Sequence, residues 1–206
     1  AALALTVAGC AASPSASAPD AGQVPQVTPV AGAPSTIPGA GATVPAAGAG
    51  AAPAVPPAAP SPPTGVAIPA LGVDARVVPV PVDDRTGELT VPEDVRLVGW
   101  WEQGPAPGAR YGTVVLTGHI DSAEQGPGAL ARLRDVGPGD RVAVRGGGGT
   151  TAYVVQARRE YHKADLPVEV FSSVGRPRLV IISCGGPFDE RTRHYRDNIV
   201  VYATPA

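Results

Sequence analysis

Residues 1 to 64 carry a single charged side chain, Asp20, and no aromatic ring. A segment built mainly from Ala, Pro, Gly, Ser, Thr and Val has little large apolar surface to bury. Its prolines also interrupt helices and sheet ladders alike. It is expected to form a disordered, extended tether over residues 11–64 instead of contributing to a core. Ordinary charge and every aromatic residue of the chain appear only after this point. Residues 65–206 therefore read as one domain, large enough to bury a core of its own.

The formal net charge is -2, and the basic residues are balanced by acidic ones along the domain. No basic stripe stands out, which argues against a nucleic-acid partner. Lys163 is the only lysine; every other basic Lys or Arg position holds arginine. Together with the wealth of Ala, Gly, Pro and Val, this bias points to a GC-rich bacterial genome. The opening stretch, residues 1–10, reads as the end of an export signal and is too short to span a bilayer. Its Val7-Ala8-Gly9-Cys10 resembles a bacterial lipobox, which makes Cys10 a lipidation candidate; a plain membrane anchor is the alternative. Either places the domain outside the cytoplasm, tethered to the membrane by its N-terminus. A Cys10–Cys184 disulfide is a rival reading. It is disfavoured because Cys10 lies beyond the tether and a bridge would consume the Cys184 thiol.

Within the domain, short apolar runs recur at close intervals, broken by Gly, Pro and Asp. That pattern predicts an all-β barrel or sandwich. Strands are expected at 65–68, 75–80, 88–91, 112–118, 141–145, 151–157, 178–183 and 198–203. The 151–157 run alternates, with Tyr153, Val155 and Ala157 on one face. The 178–183 run is apolar on both faces, so it should be a fully buried strand. Residues 128–134 predict one or two helical turns, with Leu130 and Leu133 on one side. The glycines at 146–149 lack the Lys-Ser/Thr ending of a phosphate loop and read as a hairpin connection.

Two of these strands end on reactive side chains. Leu179-Val180-Ile181-Ile182-Ser183 runs into Cys184, the only cysteine of the domain, and Val114-Val115-Leu116-Thr117-Gly118 runs into His119. A thiol is mostly protonated at neutral pH and becomes an effective nucleophile when an imidazole shares its proton. The bland alternatives are a small buried hydrophobe at Cys184 and a structural histidine at 119. Gly185 and Gly186 shift the balance, because they leave room for a substrate chain beside the thiol. Asp121 is placed either to orient the imidazole or to start a turn. Among Arg191, Arg193 and Arg196, Arg196 lies nearest the last strand and is the candidate for stabilising an oxyanion. His162 and His194 sit in polar surroundings. One cysteine with three scattered histidines shows no zinc spacing, and the acids make no calcium loop, so neither metal nor cofactor is expected.

The ordered series Thr117-Gly118-His119, Ile182-Ser183-Cys184 and Arg196 before Ile199-Val200-Val201-Tyr202-Ala203 resembles the sortases. These are cell-surface cysteine transpeptidases of Gram-positive bacteria. Ile68-Pro69-Ala70-Leu71-Gly72-Val73-Asp74 and the Leu130, Leu133, Gly139-Asp140 series add to the resemblance, which covers residues 65–202. Among subtypes it is closest to the actinobacterial class F enzymes, with class E next. Val180 and Ser183 stand where the family usually places threonine.

The resemblance implies a closed eight-stranded β-barrel with the catalytic residues at one end of a groove. Cys184 would attack the threonyl carbonyl of an LPxTG-type sorting signal at the C-terminus of a partner protein. His119 would serve as acid and base, and Arg196 would bind the signal and stabilise the oxyanion. The acyl group would pass to an amine of peptidoglycan precursor or of another protein, or to water. Two other readings remain at this level. One is a non-catalytic sortase-like module that binds peptide or wall polymer. The other is an L,D-transpeptidase, whose Ser-Gly-Cys order Ser183-Cys184-Gly185 does not match.

Overall fold

The computed structural model describes residues 20–27 and 60–206. The export-signal reading of residues 1–10, the lipidation candidate Cys10, and the tether at 11–19 and 28–59 lie outside the described residues. The strands are β1 (Ala21–Gly22), β2 (Pro63–Ile68), β3 (Val73–Val80), β4 (Val98–Trp101), β5 (Thr113–Gly118), β6 (Asp121–Ser122), β7 (Gly126–Pro127), β8 (Arg141–Gly146), β9 (Gly149–His162), β10 (Arg178–Asp189) and β11 (His194–Pro205).

The main sheet runs β1-β9-β11-β10-β5-β4-β3-β2-β8, and β8 pairs back onto β9. That last pairing closes β2–β5 and β8–β11 into an eight-stranded barrel, as the resemblance implies. Closure removes the exposed edges that an open sheet would present. Most pairs are antiparallel, but β10 runs parallel to β5 and β4 parallel to β3. Parallel neighbours need a long crossover. The chain between β5 and β10 supplies one: it passes through β8 and β9, and its last part, which carries Leu166, Val170 and Phe171, returns over the outside of the barrel.

This crossover explains why β5 and β10 are apolar on both faces. Val114, Leu116, Leu179 and Ile181 fill the barrel interior together with Val142, Val144, Tyr153 and Val201. Val115, Val180 and Ile182 point outward, yet they too are buried, under Val170 and beside Tyr202. A strand covered on both sides reads as a continuous hydrophobic run.

Three local expectations change in detail. The strand expected at 88–91 is a single isolated bridge between Leu89 and Val82. The helical turns expected at 128–134 shrink to a 3-10 turn at Leu133–Asp135, though Leu130 and Leu133 are fully buried as expected. Ala157 does not share a face with Tyr153 and Val155. The β9–β11 register slips between Tyr202 and Ala203, and this bulge turns Ala157 to the outer cluster. Trp100 is buried inside the barrel, whereas Trp101 packs outside, edge-on to Phe171 with ring centroids 5.6 Å apart.

Part of the segment expected to be a tether belongs to the fold. β1 pairs with β9 at Ala157 and Arg158, beyond the point where β8 stops pairing. There the edge of β9 would otherwise leave its backbone groups unpaired. Asp20, the segment's one charge, accepts a hydrogen bond from Glu160 N at 3.1 Å. Arg159 donates to the Ala21 carbonyl at 2.7 Å, and Val24 packs on the outer cluster.

Candidate active site

The site is built by strand register. β10 and β5 run parallel with Ser183 beside Gly118, so Cys184, within β10, and His119, just past the end of β5, come next where the pairing of the two strands stops. Such strands are about 4.8 Å apart. Ser183 is buried, and its hydroxyl donates to the Gly118 carbonyl at 2.6 Å, which ties the two strands at the level of the site. The residue after the histidine is fixed as well: Gly128 N donates to the Ile120 carbonyl at 2.8 Å and Leu130 N to the His119 carbonyl at 3.1 Å. A Cβ on Gly128 would sit 2.3 Å from that same His119 oxygen, so only glycine allows this approach.

Cys184 and His119 are both half-buried. His119 Nε2 lies 3.0 Å from the Pro92 carbonyl. A carbonyl only accepts, so Nε2 carries the hydrogen and Nδ1 is the nitrogen left for proton exchange. Asp121 does not orient the ring; its carboxylate accepts a 2.6 Å hydrogen bond from Tyr195 Oη. Burial is the main cause that pushes the Cys184 thiol above its ordinary pKa. The Lys163 ammonium pulls it back down, and the Asp121 carboxylate adds to the rise. The free thiol is therefore held protonated, and ionisation needs a base beside it.

Two clefts of about 310 Å³ each meet at this point. Cys184, His119 and Lys163 line both. One cleft continues along Asp121, Phe188, Arg193, His194 and Tyr195. The other has an apolar wall of Leu89, Val91, Leu166, Phe171 and Ile182, with Asn198 on its floor. Asn198 is the direct cross-strand neighbour of Cys184 on β11.

Arg196 is two residues from Asn198, so β alternation puts it on the Cys184 face of β11. It is exposed, lines neither cleft, and has no hydrogen bond or ion pair to another described residue. Of the three arginines singled out in the sequence, Arg193 is the one in a cleft wall, held at φ 60° in the turn that begins at Asp189. The structure thus brings Cys184 and His119 together and leaves Arg196 beside them, outside the clefts.

Gly185 and Gly186 have a different role from the one their sequence suggested. A Cβ on Gly185 would meet Ile199 Cγ1 at 2.5 Å, and one on Gly186 would meet Asp197 Oδ2 at 1.9 Å. Gly186 also sits at φ 70°, in the bulge between Gly185 and Phe188. The pair lets β10 bend tightly over β11 just past the thiol. Lys163 and the apolar wall escaped the sequence reading. They come from irregular connections, where no periodicity marks them. Among the described residues no cluster of three or more His, Cys, Asp and Glu side chains has the arrangement of a metal site, and no helix is long and apolar enough to cross a membrane.

Solved structures with this fold include sortase C1 of GBS pilus island 1, at 19% identity and TM-score 0.53, covering 69% of this chain and 63% of that one. Sortase A from Corynebacterium diphtheriae matches at 19% identity and TM-score 0.53, covering 71% of this chain and 61% of that one. Sortase C-1 from Actinomyces oris matches at 20% identity and TM-score 0.53, covering 69% and 72%. The chain spans less than two thirds of the length of the first two. A search of curated proteins finds no match. The sortase domain model matches residues 66–206, more than half of the chain. With the closed barrel and the β5–β10 register that sets Cys184 and His119 in one place, this match shows that the chain belongs to the sortase family.

Proposed function

We propose that this protein is a cell-surface cysteine transpeptidase. In this reading it cleaves an LPxTG-type sorting signal through a thioester and transfers the acyl group to an amine. The observation that carries the reading is the parallel β5–β10 register, which delivers Cys184 and His119 to one junction between two clefts. Two clefts meeting at one thiol suit a reaction with two substrates.

The sulfur of Cys184 attacks the threonyl carbonyl carbon, and its proton passes to His119 Nδ1. The peptide C–N bond then breaks, and the imidazolium returns the proton to the departing glycine amine. An incoming amine attacks the thioester, His119 takes its proton, and the thiol is restored as the new amide forms. The apolar cleft suits the sorting signal, and the cleft toward Tyr195 suits the acceptor. Arg196, on the thiol face of β11 and unpaired among the described residues, is assigned to the sorting-signal carbonyls. The acceptor is an amine of a wall precursor or a protein. Class F of the actinobacterial enzymes is the preferred subtype, held at the outer membrane face through Cys10 or another N-terminal anchor.

Incubation with a fluorogenic LPxTG-type peptide and an amine acceptor tests the proposal. Wild type should release the fluorophore and form the amide product, and Cys184→Ala should do neither. Cleavage that survives Cys184→Ala would overturn the mechanism.

A further inference from the structure

We propose that Lys163 is the fixed charge partner of the Cys184 thiolate, a positioning residue that acts through the sulfur from across two strands. The inference rests on the reading of Cys184 as the nucleophile.

Register places it. Tyr161 on β9, Asn198 on β11 and Cys184 on β10 form one cross-strand row. Tyr161 belongs to the outer cluster, the face on which Cys184 follows Ile182. Lys163 comes two residues after Tyr161, at the start of the 3-10 turn Lys163–Asp165. Two strand spacings, about 10 Å, separate the backbone of Tyr161 from that of Cys184, and Lys163 lies two residues further along. A long flexible side chain spans most of that gap. Lys163 duly lines both clefts beside Cys184 and His119, which Arg196 does not.

Composition gives independent support. Arginine fills every other basic Lys or Arg position of the chain, and the one lysine stands at the thiol. A planar guanidinium suits bidentate contacts to carboxylates, whereas an ammonium is a compact point charge. The latter fits a partner that must stabilise a sulfur anion without blocking two clefts. His119 exchanges a proton within each half-reaction of the proposed mechanism, whereas Lys163 has no part in those transfers.

The titratable and charged groups that line the two clefts with the thiol are His119, just past β5, Asp121 from β6, Arg193, His194 and Tyr195 from the β10–β11 turn and β11, Glu88 from the connection after β3, and Lys163 itself. Of these, Lys163 favours the thiolate by its charge and Asp121 opposes it.

The test measures alkylation of Cys184 by iodoacetamide against pH. It is read on the Cys184 peptide by mass spectrometry, so that Cys10 does not contribute. Lys163→Gln should move the alkylation midpoint to higher pH, Lys163→Arg should restore most of the wild-type profile, and Asp121→Asn should move it the other way. Lys163 is exposed, so Lys163→Gln should melt where wild type does. If peptide cleavage occurs, its kcat/KM should fall about tenfold in Lys163→Gln. Superimposable alkylation profiles for wild type and Lys163→Gln would overturn the inference. Because alkylation needs no peptide substrate, a shifted midpoint in a protein that cleaves no peptide would uphold Lys163 and sink the transpeptidase reading alone.

Discussion

Ser183 shows how much the site depends on one buried hydroxyl. Its bond to the Gly118 carbonyl is a side-chain link between β10 and β5 at the level of the thiol. Ser183→Ala would leave that carbonyl buried with one acceptor site unfilled, a loss of about 1 to 2 kcal/mol. The domain should still melt cooperatively, at a midpoint lower by a few degrees. Its kcat/KM on a cleaved peptide should fall further than the unfolded fraction explains, because Gly118 carries His119. A variant with unchanged kcat/KM would show that backbone register alone holds the pair. His119 itself is fixed through Nε2 to Pro92, a carbonyl from a distant connection. No sequence pattern marks such a partner. The histidine was legible because it ends an apolar strand; its orienting group was not.

At the scale of elements, the outer face of the barrel is as consequential as its interior. Arg178, at the start of β10, is buried. Its Nε donates to Thr113 Oγ1 at 2.8 Å and its Nη1 to the Pro25 carbonyl at 3.4 Å, while its Nη2 donates to the Glu169 carbonyl. One guanidinium therefore joins β5, the N-terminal segment at 20–27 and the crossover that carries Lys163, Leu166 and Phe171. Deleting residues 20–27 should loosen that crossover. Faster amide exchange over 163–172 and a raised KM with little change in kcat are expected. Exchange and KM equal to those of the full chain would show the segment to be a passive strap. β5 and β10 were plain in the sequence because burial on both faces leaves long apolar runs. The closed barrel followed from the resemblance and not from spacing. The docked segment was invisible because its hold comes from backbone pairing and from Asp20, against a composition that reads as tether throughout. Likewise the apolar cleft wall comes from 3-10 turns and irregular chain, where no period exists to be read.

At the scale of the whole molecule, the described barrel buries two tyrosines, Tyr153 inside and Tyr202 on its outer side, and this gives it a weakness toward alkali. Tyr153 lies inside the barrel at 2% exposure, and burial, opposed by a hydrogen bond to the Gly108 backbone, lifts its phenol to about 12. Burial likewise pushes up Tyr202, whose hydroxyl lies 3.2 Å from Tyr161 Oη, and the Cys184 thiol. Each is an acid whose pKa is raised on folding, so the native state holds protons that the unfolded chain releases first. Their contribution is complete below the unfolded values, about 8.5 for a thiol and 10 for a phenol. It is lost as pH climbs from there toward the folded values. For Tyr153 alone, two pKa units correspond to about 2 to 3 kcal/mol. The urea midpoint should therefore hold steady from pH 6 to 8 and fall steeply between pH 10 and 12. Tyr153→Phe should lessen the fall in the upper part of that range, and Cys184→Ala the onset below it. A midpoint unchanged at pH 11 would mean that these phenols reach solvent, so that neither the barrel interior around Tyr153 nor the outer cover over Tyr202 is closed.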